Sequence, residues 1–151
     1  MLENIFKKKA EKLLEQFNEK QYLLVIRETK LLLKKVPNNL FLLNLIGSSF
    51  QNLGDLSSAK KIFKNILEMD NKNTSALNNL GNVYKKLKML IKAEQSIRKS
   101  TKVNPKYFDA HFNLGNTLRD LGRRTEALDS YERAFEIEPN AEYVLGNVIH
   151  T

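Results

Sequence analysis

An all-α fold, a solenoid of antiparallel helix pairs, is predicted for this chain by three observations. First, one motif recurs: Leu43-x-x-Ile46-Gly47-x-x-Phe50, Leu77-x-x-Leu80-Gly81-x-x-Tyr84 and His111-x-x-Leu114-Gly115-x-x-Leu118, with the glycines 34 residues apart. Second, each copy then breaks near Gly54, Lys88 or Gly122 and resumes as Ala59-x-x-x-Phe63, Ala93-x-x-x-Ile97 or Ala127-x-x-x-Tyr131. Apolar residues at i, i+3, i+4 and i+7 mark an amphipathic helix, so each copy reads helix, turn, helix. Third, a glycine in a helix interior costs about 1 kcal/mol against alanine. Its return at one place in three copies implies a close approach of the paired helices, with Ala59, Ala93 or Ala127 as the facing residue. A single pair cannot bury its apolar face, so the pairs must stack on their neighbours.

The elements follow in order. Over residues 1–39, Leu2, Ile5, Phe6, Ala10, Leu13, Leu14 and Phe17 fall on one helical face. Tyr22, Val25, Ile26, Thr29, Leu32, Leu33 and Val36 fall on that of a second helix, and Pro37 closes the pair. Pro37, Asn71, Pro105 and Pro139 stand 34 residues apart, so this is a degenerate repeat in frame that lacks the Leu-Gly signature. A terminal repeat departs from the common pattern because its outer face meets water. Residues 40–73 form the next repeat, with Asn71 in place of the closing proline; 74–107 follow, with Lys88 for the turn glycine and Ser100 for the small alanine. Residues 108–141 are the most regular copy. No stretch rich in glycine, proline or serine interrupts them, so one continuous domain over 1–151 is expected. Residues 142–151 begin a further, C-terminal helix, whose Gly146 comes too early to be an in-frame copy.

This pattern resembles the tetratricopeptide repeat. The resemblance implies a right-handed superhelix whose concave groove is lined by the first helix of each pair, at repeat positions 2, 5, 6, 9, 12 and 13. Counting from Leu40, Thr74 and Phe108, the groove candidates are Asn44, Ser48 and Gln51; Asn78, Asn79, Asn82, Lys85 and Lys86; and Phe112, Asn113, Asn116 and Arg119. Asparagine dominates, and its amide offers both donors and an acceptor, as an extended peptide backbone requires. Asn79 and Asn113 lead the set, and Leu45 interrupts it. The bland alternative is that these amides satisfy loops or neighbouring helices. The resemblance also implies protein or peptide partners, with Lys85, Lys86 and Arg119 favouring acidic segments and Phe41 and Phe112 giving apolar contact. Relatives that clamp acidic chaperone tails place cations where this chain has Asn44, Asp109 and Asn113. A terminal carboxylate would lack its charge-assisted partners, so that ligand is disfavoured. Tyr143-x-x-Gly146-x-x-x-His150 is similar to the junction before the catalytic region in bacterial relatives of O-linked N-acetylglucosamine transferase. That resemblance implies an alternative, the substrate-recruiting portion of a longer transferase.

Composition narrows the function classes. There is no cysteine, which removes disulfides, thiolate catalysis and cysteine-ligated zinc. No run approaches the ~18 apolar residues of a membrane span, and the N-terminus has no apolar signal core, so a soluble, cytoplasmic protein is expected. The net charge of +8 is uneven: residues 1–39 carry 9 basic and 5 acidic side chains, 40–105 carry 11 and 4, and 106–151 carry 5 and 8. Spread as singlets and pairs, the lysines read as a solvated surface; without arginine forks or stacking platforms, nucleic acid is disfavoured. Lys7, Lys8, Lys9 and Lys12 are the one basic cluster that could form an arm. His111 fills the large-residue position of its repeat and reads as packed. No histidine and carboxylate group has metal spacing, no glycine-rich phosphate loop is present, and no serine has an adjacent base. The expectation is therefore a non-enzymatic scaffold, with no cofactor, no metal and no small-molecule substrate, and with self-association left open.

Overall fold

The structure, a computed structural model, describes residues 1–141 and Gly146. Among the described residues there are eight α-helices and no strand: α1 (Leu2–Asn18), α2 (Tyr22–Leu33), α3 (Leu40–Asn52), α4 (Leu56–Met69), α5 (Thr74–Lys86), α6 (Leu90–Val103), α7 (Phe108–Asp120) and α8 (Arg124–Ile137). The helix expected over 142–151 lies, Gly146 apart, outside the described residues. None of the described helices is long and apolar enough to cross a membrane.

The helix starts are locally encoded. Asn39 accepts from the Leu42 amide at 3.0 Å ahead of α3, and Asn73 from the Ala76 amide at 2.9 Å ahead of α5. Asp55 does the same for Ser58 at 3.1 Å ahead of α4. Each satisfies an amide that the first turn of a helix leaves without an internal partner. The turns inside the pairs share one device. Lys20, Gly54, Lys88 and Gly122, 34 residues apart, have φ of 62°, 84°, 61° and 78°. The degenerate first repeat thus keeps the turn of the others although its signature is lost.

The chain divides into two compact units, Met1–Met69 and Asp70–Thr151. In the first, α1 packs on α2, α2 on α3 and α3 on α4, and α1 also meets α3. Leu13, Val25, Leu42 and Leu45 form its core, flanked by Phe6, Phe17, Leu32 and Leu33. Leu2 and Ile5, expected on the packed face of α1, are 85% and 47% exposed, and Leu13 is the buried residue of that helix. In the second unit α5 packs on α6, α6 on α7 and α7 on α8, and α5 meets α7. Its core joins Ile97 to Phe108, Leu114, Leu118, Ala127 and Tyr131.

The helix glycines lie at close approaches, but the residue they face differs from the expected alanine. A Cβ on Gly47 would stand 2.8 Å from Phe63 Cε1, and one on Gly115 would stand 2.6 Å from Tyr131 Cδ1. On Gly81 it would overlap Ile97, with the Ala93 carbonyl oxygen at 3.2 Å. The large side chain one turn beyond each alanine lies across the glycine, and the alanine allows the backbones to come near. Two buried serines in this unit bond across the pair. Ser96 Oγ donates to the Leu77 carbonyl at 2.7 Å and Ser100 Oγ to that of Thr74 at 2.9 Å. His111 is buried, its Nε2 2.7 Å from the Pro105 carbonyl oxygen, as its packed reading requires.

Candidate functional site

In the second unit, α5 and α7 lie against each other. Helical periodicity puts Asn78, Asn79, Asn82, Lys85 and Lys86 on one flank of α5, and Phe112, Asn113, Asn116 and Arg119 on the matching flank of α7. Several residues of this set are held by bonds within the protein.

Asn78 is 2% exposed. Its Oδ1 accepts from Asn113 Nδ2 at 3.1 Å, and the Tyr107 hydroxyl is hydrogen-bonded to the side chains of Asn78 and Ser75. Burial pushes the Tyr107 phenol above its ordinary pKa, so it stays protonated through the neutral range. Asn78 therefore ties α5 to α7 through its amide oxygen, and little of its side chain is left on the surface where the groove is expected. Asn116 Oδ1 accepts from the Tyr131 hydroxyl at 2.6 Å. Phe112 stacks on Phe108 with ring centres 6.0 Å apart and lies 5.9 Å from Tyr131, so half of its ring belongs to the core. Asn113 also secures α7 internally, since its carbonyl accepts from Thr117 Oγ1 at 2.8 Å.

Asn79, Asn82 and Lys85 remain on α5 as half-buried polar residues, with Lys86 exposed at the helix end. The Asn82 Oδ1 is shut off from solvent and accepts no hydrogen bond from the described residues. Burial pulls the Lys85 ammonium below its ordinary pKa; Arg119, Lys86 and Lys88 push the same way and Asp120 opposes them. Arg119 leans on Asp120 at 3.8 Å. At the other end of the face, burial raises the Asp109 carboxyl. The face is polarised along its length, acidic at Asp109, neutral through the asparagines, and mainly cationic at Lys85, Lys86 and Arg119, with Asp120 among them.

In the first unit, α3 carries Asn44, Ser48 and Gln51, all half-buried. Asn44 Nδ2 donates to the Leu40 carbonyl at 3.2 Å, and the Ser48 carbonyl accepts from Asn52 Nδ2 at 2.8 Å. Leu45 lies in the core.

Two features escaped the sequence. The bond from Tyr131 to Asn116 had a signal: of Phe63, Ile97 and Tyr131 at one repeat position, the tyrosine alone brings a hydroxyl that needs a partner when buried. The Arg123 guanidinium joins Glu94 at 2.8 Å to Glu126 at 2.6 Å, and Arg98 bridges the same two carboxylates at 2.8 and 3.2 Å. This network links α6 to the start of α8, and spacing on a single helix does not reveal it.

Family models described as tetratricopeptide repeat match residues 42–73, 74–107 and 108–141. No curated protein sequence matches the chain. Among solved structures, TTC0263, a thermophilic TPR protein of Thermus thermophilus, is 17% identical with a TM-score of 0.86 over 95% of this chain and 79% of its own. MamA is 22% identical with a TM-score of 0.74 over 89% and 78%. The first TPR of Spaghetti (RPAP3), bound to the HSP90 peptide SRMEEVD, is 23% identical with a TM-score of 0.70 over 74% and 88%. The likenesses are of fold.

Proposed function

The chain belongs to the tetratricopeptide repeat family, and from that premise we propose that it is a non-catalytic interaction protein whose α5–α7 face holds an extended, acidic segment of a partner. The observation that carries this reading is the run of half-buried polar side chains along α5, Asn79, Asn82 and Lys85, which leads into the cations Lys86 and Arg119. Lys85, Lys86 and Arg119 outnumber the one acid beside them, Asp120. Desolvation of Lys85 among other cations gives an acidic side chain a strong interaction there. The peptide on the Spaghetti domain is an acidic one as well. Asp109 at the opposite end places the acidic part of the ligand toward the C-terminal ends of α5 and α7.

The test is a panel of extended, terminally blocked acidic peptides, titrated against the wild type and the Asn82→Leu/Lys85→Gln variant. The tightest binder should lose about tenfold in affinity, roughly 1.4 kcal/mol, while Tm stays within a few degrees. A panel without a binder, or equal affinity for both proteins, refutes the reading.

A further inference from the structure

A second surface lies in the first unit, on the flank of α1 and α2 that does not belong to the predicted groove. Here the two helices leave a cleft of about 780 Å³. Its rim carries five cations, Lys9, Lys12, Arg27, Lys34 and Lys35, against one acid, Glu28. Its floor is apolar: Leu13, Leu24, Leu31 and Leu32. Leu31 is 52% exposed, a large apolar side chain at the wall of a basic cleft. Arg27 and Glu28 pair at 3.4 Å with both side chains in solvent, an arrangement worth little that leaves the guanidinium exchangeable.

The repeat frame shows what such a cleft takes. Lys9, Lys12 and Gln16 correspond, three 34-residue periods on, to His111, Leu114 and Leu118; Leu24, Arg27 and Leu31 correspond to Glu126, Asp129 and Arg133. In the fourth repeat these later residues line a cleft of only about 210 Å³, because α6 lies against it and contributes Arg98 and Thr101. The occupant of that place is a helix, and it is matched in charge: the lip holds Glu126 and Asp129, and Arg98 reaches Glu126 at 3.2 Å. At the matching place the first repeat is mostly cationic, with Arg27 where the later one has Asp129 and Leu24 where it has Glu126, and no described helix fills it.

We propose that the α1–α2 cleft docks an amphipathic helix of a partner protein, acidic on the flanks of an apolar stripe. Leu24 to Lys35 runs about three turns, so a ligand helix of similar length lies along it. Apolar residues at i, i+3 or i+4, and i+7 settle on Leu13, Leu24, Leu31 and Leu32, and the flanking Asp or Glu side chains meet the cationic rim. No aromatic ring lines the cleft, so unstacked bases have no platform there. This surface shares no residue with the α5–α7 face.

The experiment uses the full chain and a stapled helical peptide of about four turns, with leucines at i, i+3 and i+7 flanked either by glutamates or by lysines. Fluorescence anisotropy should show the glutamate form bound and the lysine form not. Lys12→Glu/Arg27→Glu should weaken the glutamate form about tenfold and make the lysine form bind, which also shows that the variant is folded. Leu31→Gln should weaken the glutamate form, added salt should do the same, and Asn82→Leu/Lys85→Gln should leave it unchanged. Equal binding of the two forms, binding of neither, or indifference to charge reversal overturns the proposal. Loss of binding in the α5–α7 variant also overturns it. A wild-type oligomer in sedimentation that Lys12→Glu/Arg27→Glu dissolves would assign the cleft to a second copy instead. Tighter binding of a single-stranded RNA than of the glutamate helix would assign it to nucleic acid.

Discussion

Gly115 and Gly122 belong to one helix pair and hold glycine for different reasons. Gly115 lies within α7, and a Cβ there would run into the Tyr131 ring. Gly122 lies between α7 and α8 at φ 78°, with nothing within 4 Å of where a Cβ would be. A neighbour fixes the first, and its own backbone fixes the second. The repeats separate the two causes. The helix site is glycine at 47, 81 and 115 and Leu13 in the first repeat, where Thr29 stands in place of Phe63, Ile97 or Tyr131; the turn site is Gly54 and Gly122 but Lys20 and Lys88. A non-glycine residue in the left-handed region costs about 1–2 kcal/mol, which a folded chain can tolerate at a few places. A side chain inside a van der Waals contact must displace a core residue, and the core is packed too densely to yield cheaply.

The sharpest way to break this comparison is Gly115→Leu. It should destabilise the protein by about 3 kcal/mol through overpacking against Tyr131, seen as a lower midpoint in urea at unchanged slope. A neutral result would mean that the close approach is not what holds glycine in α7.

Alanine at the same sites makes a finer test. Tyr131 is held at its far end by the bond from its hydroxyl to Asn116 and is fully buried, so the ring cannot swing away. Ile97 at Gly81 has no such tether and can change rotamer. Gly115→Ala should therefore cost about 1–2 kcal/mol and Gly81→Ala clearly less, even though the ideal Cβ on Gly81 approaches its neighbour more closely. If Asn116→Ala brings Gly115→Ala down to the cost of Gly81→Ala, the tether is the cause; additive effects would refute that account.

What could be read in the sequence follows the same division. The 34-residue period, the helix pairs and the turn sites are set by local rhythm and spacing, and even Lys20 could be placed because it lies one period before Gly54. The identity of the residue across each glycine could not, since alanine and the larger side chain a turn later lie on one helical face. Nor could the division of the groove asparagines. Asn78, Asn79, Asn113 and Asn116 read alike, yet Asn78 is tied to Asn113 and Tyr107, and Asn116 to Tyr131, by tertiary contacts. The exposure of Leu2 and Ile5 was hidden because an apolar stripe marks a helical face whether or not anything covers it. The basic cleft was hidden for a related reason: Lys9 and Lys12 on one helix and Arg27, Lys34 and Lys35 on the next join only when the two helices pack.

The smallest effect sharpens the comparison from the turn side. Lys88 has φ 61°, so Lys88→Gly relieves backbone strain and should stabilise by about 1 kcal/mol, while Gly122→Ala should cost a similar amount. Lys88 also depresses the Lys85 pKa, behind burial and alongside Arg119 and Lys86. With the folded pKa of Lys85 below its unfolded value, the unfolded chain binds the more protons between the two, and stability rises with pH through that window. Removing Lys88 narrows the window from below, so the variant should gain stability at neutral pH and show a shallower rise under alkaline conditions. Urea melts across that range, with the Lys85 ammonium followed by NMR, separate the two contributions. An unchanged Lys85 titration with a gain at neutral pH would leave strain as the whole effect. A variant no more stable than the wild type would show that the turn, like the helix site, is held by its surroundings, and the contrast between Gly115 and Gly122 would fail.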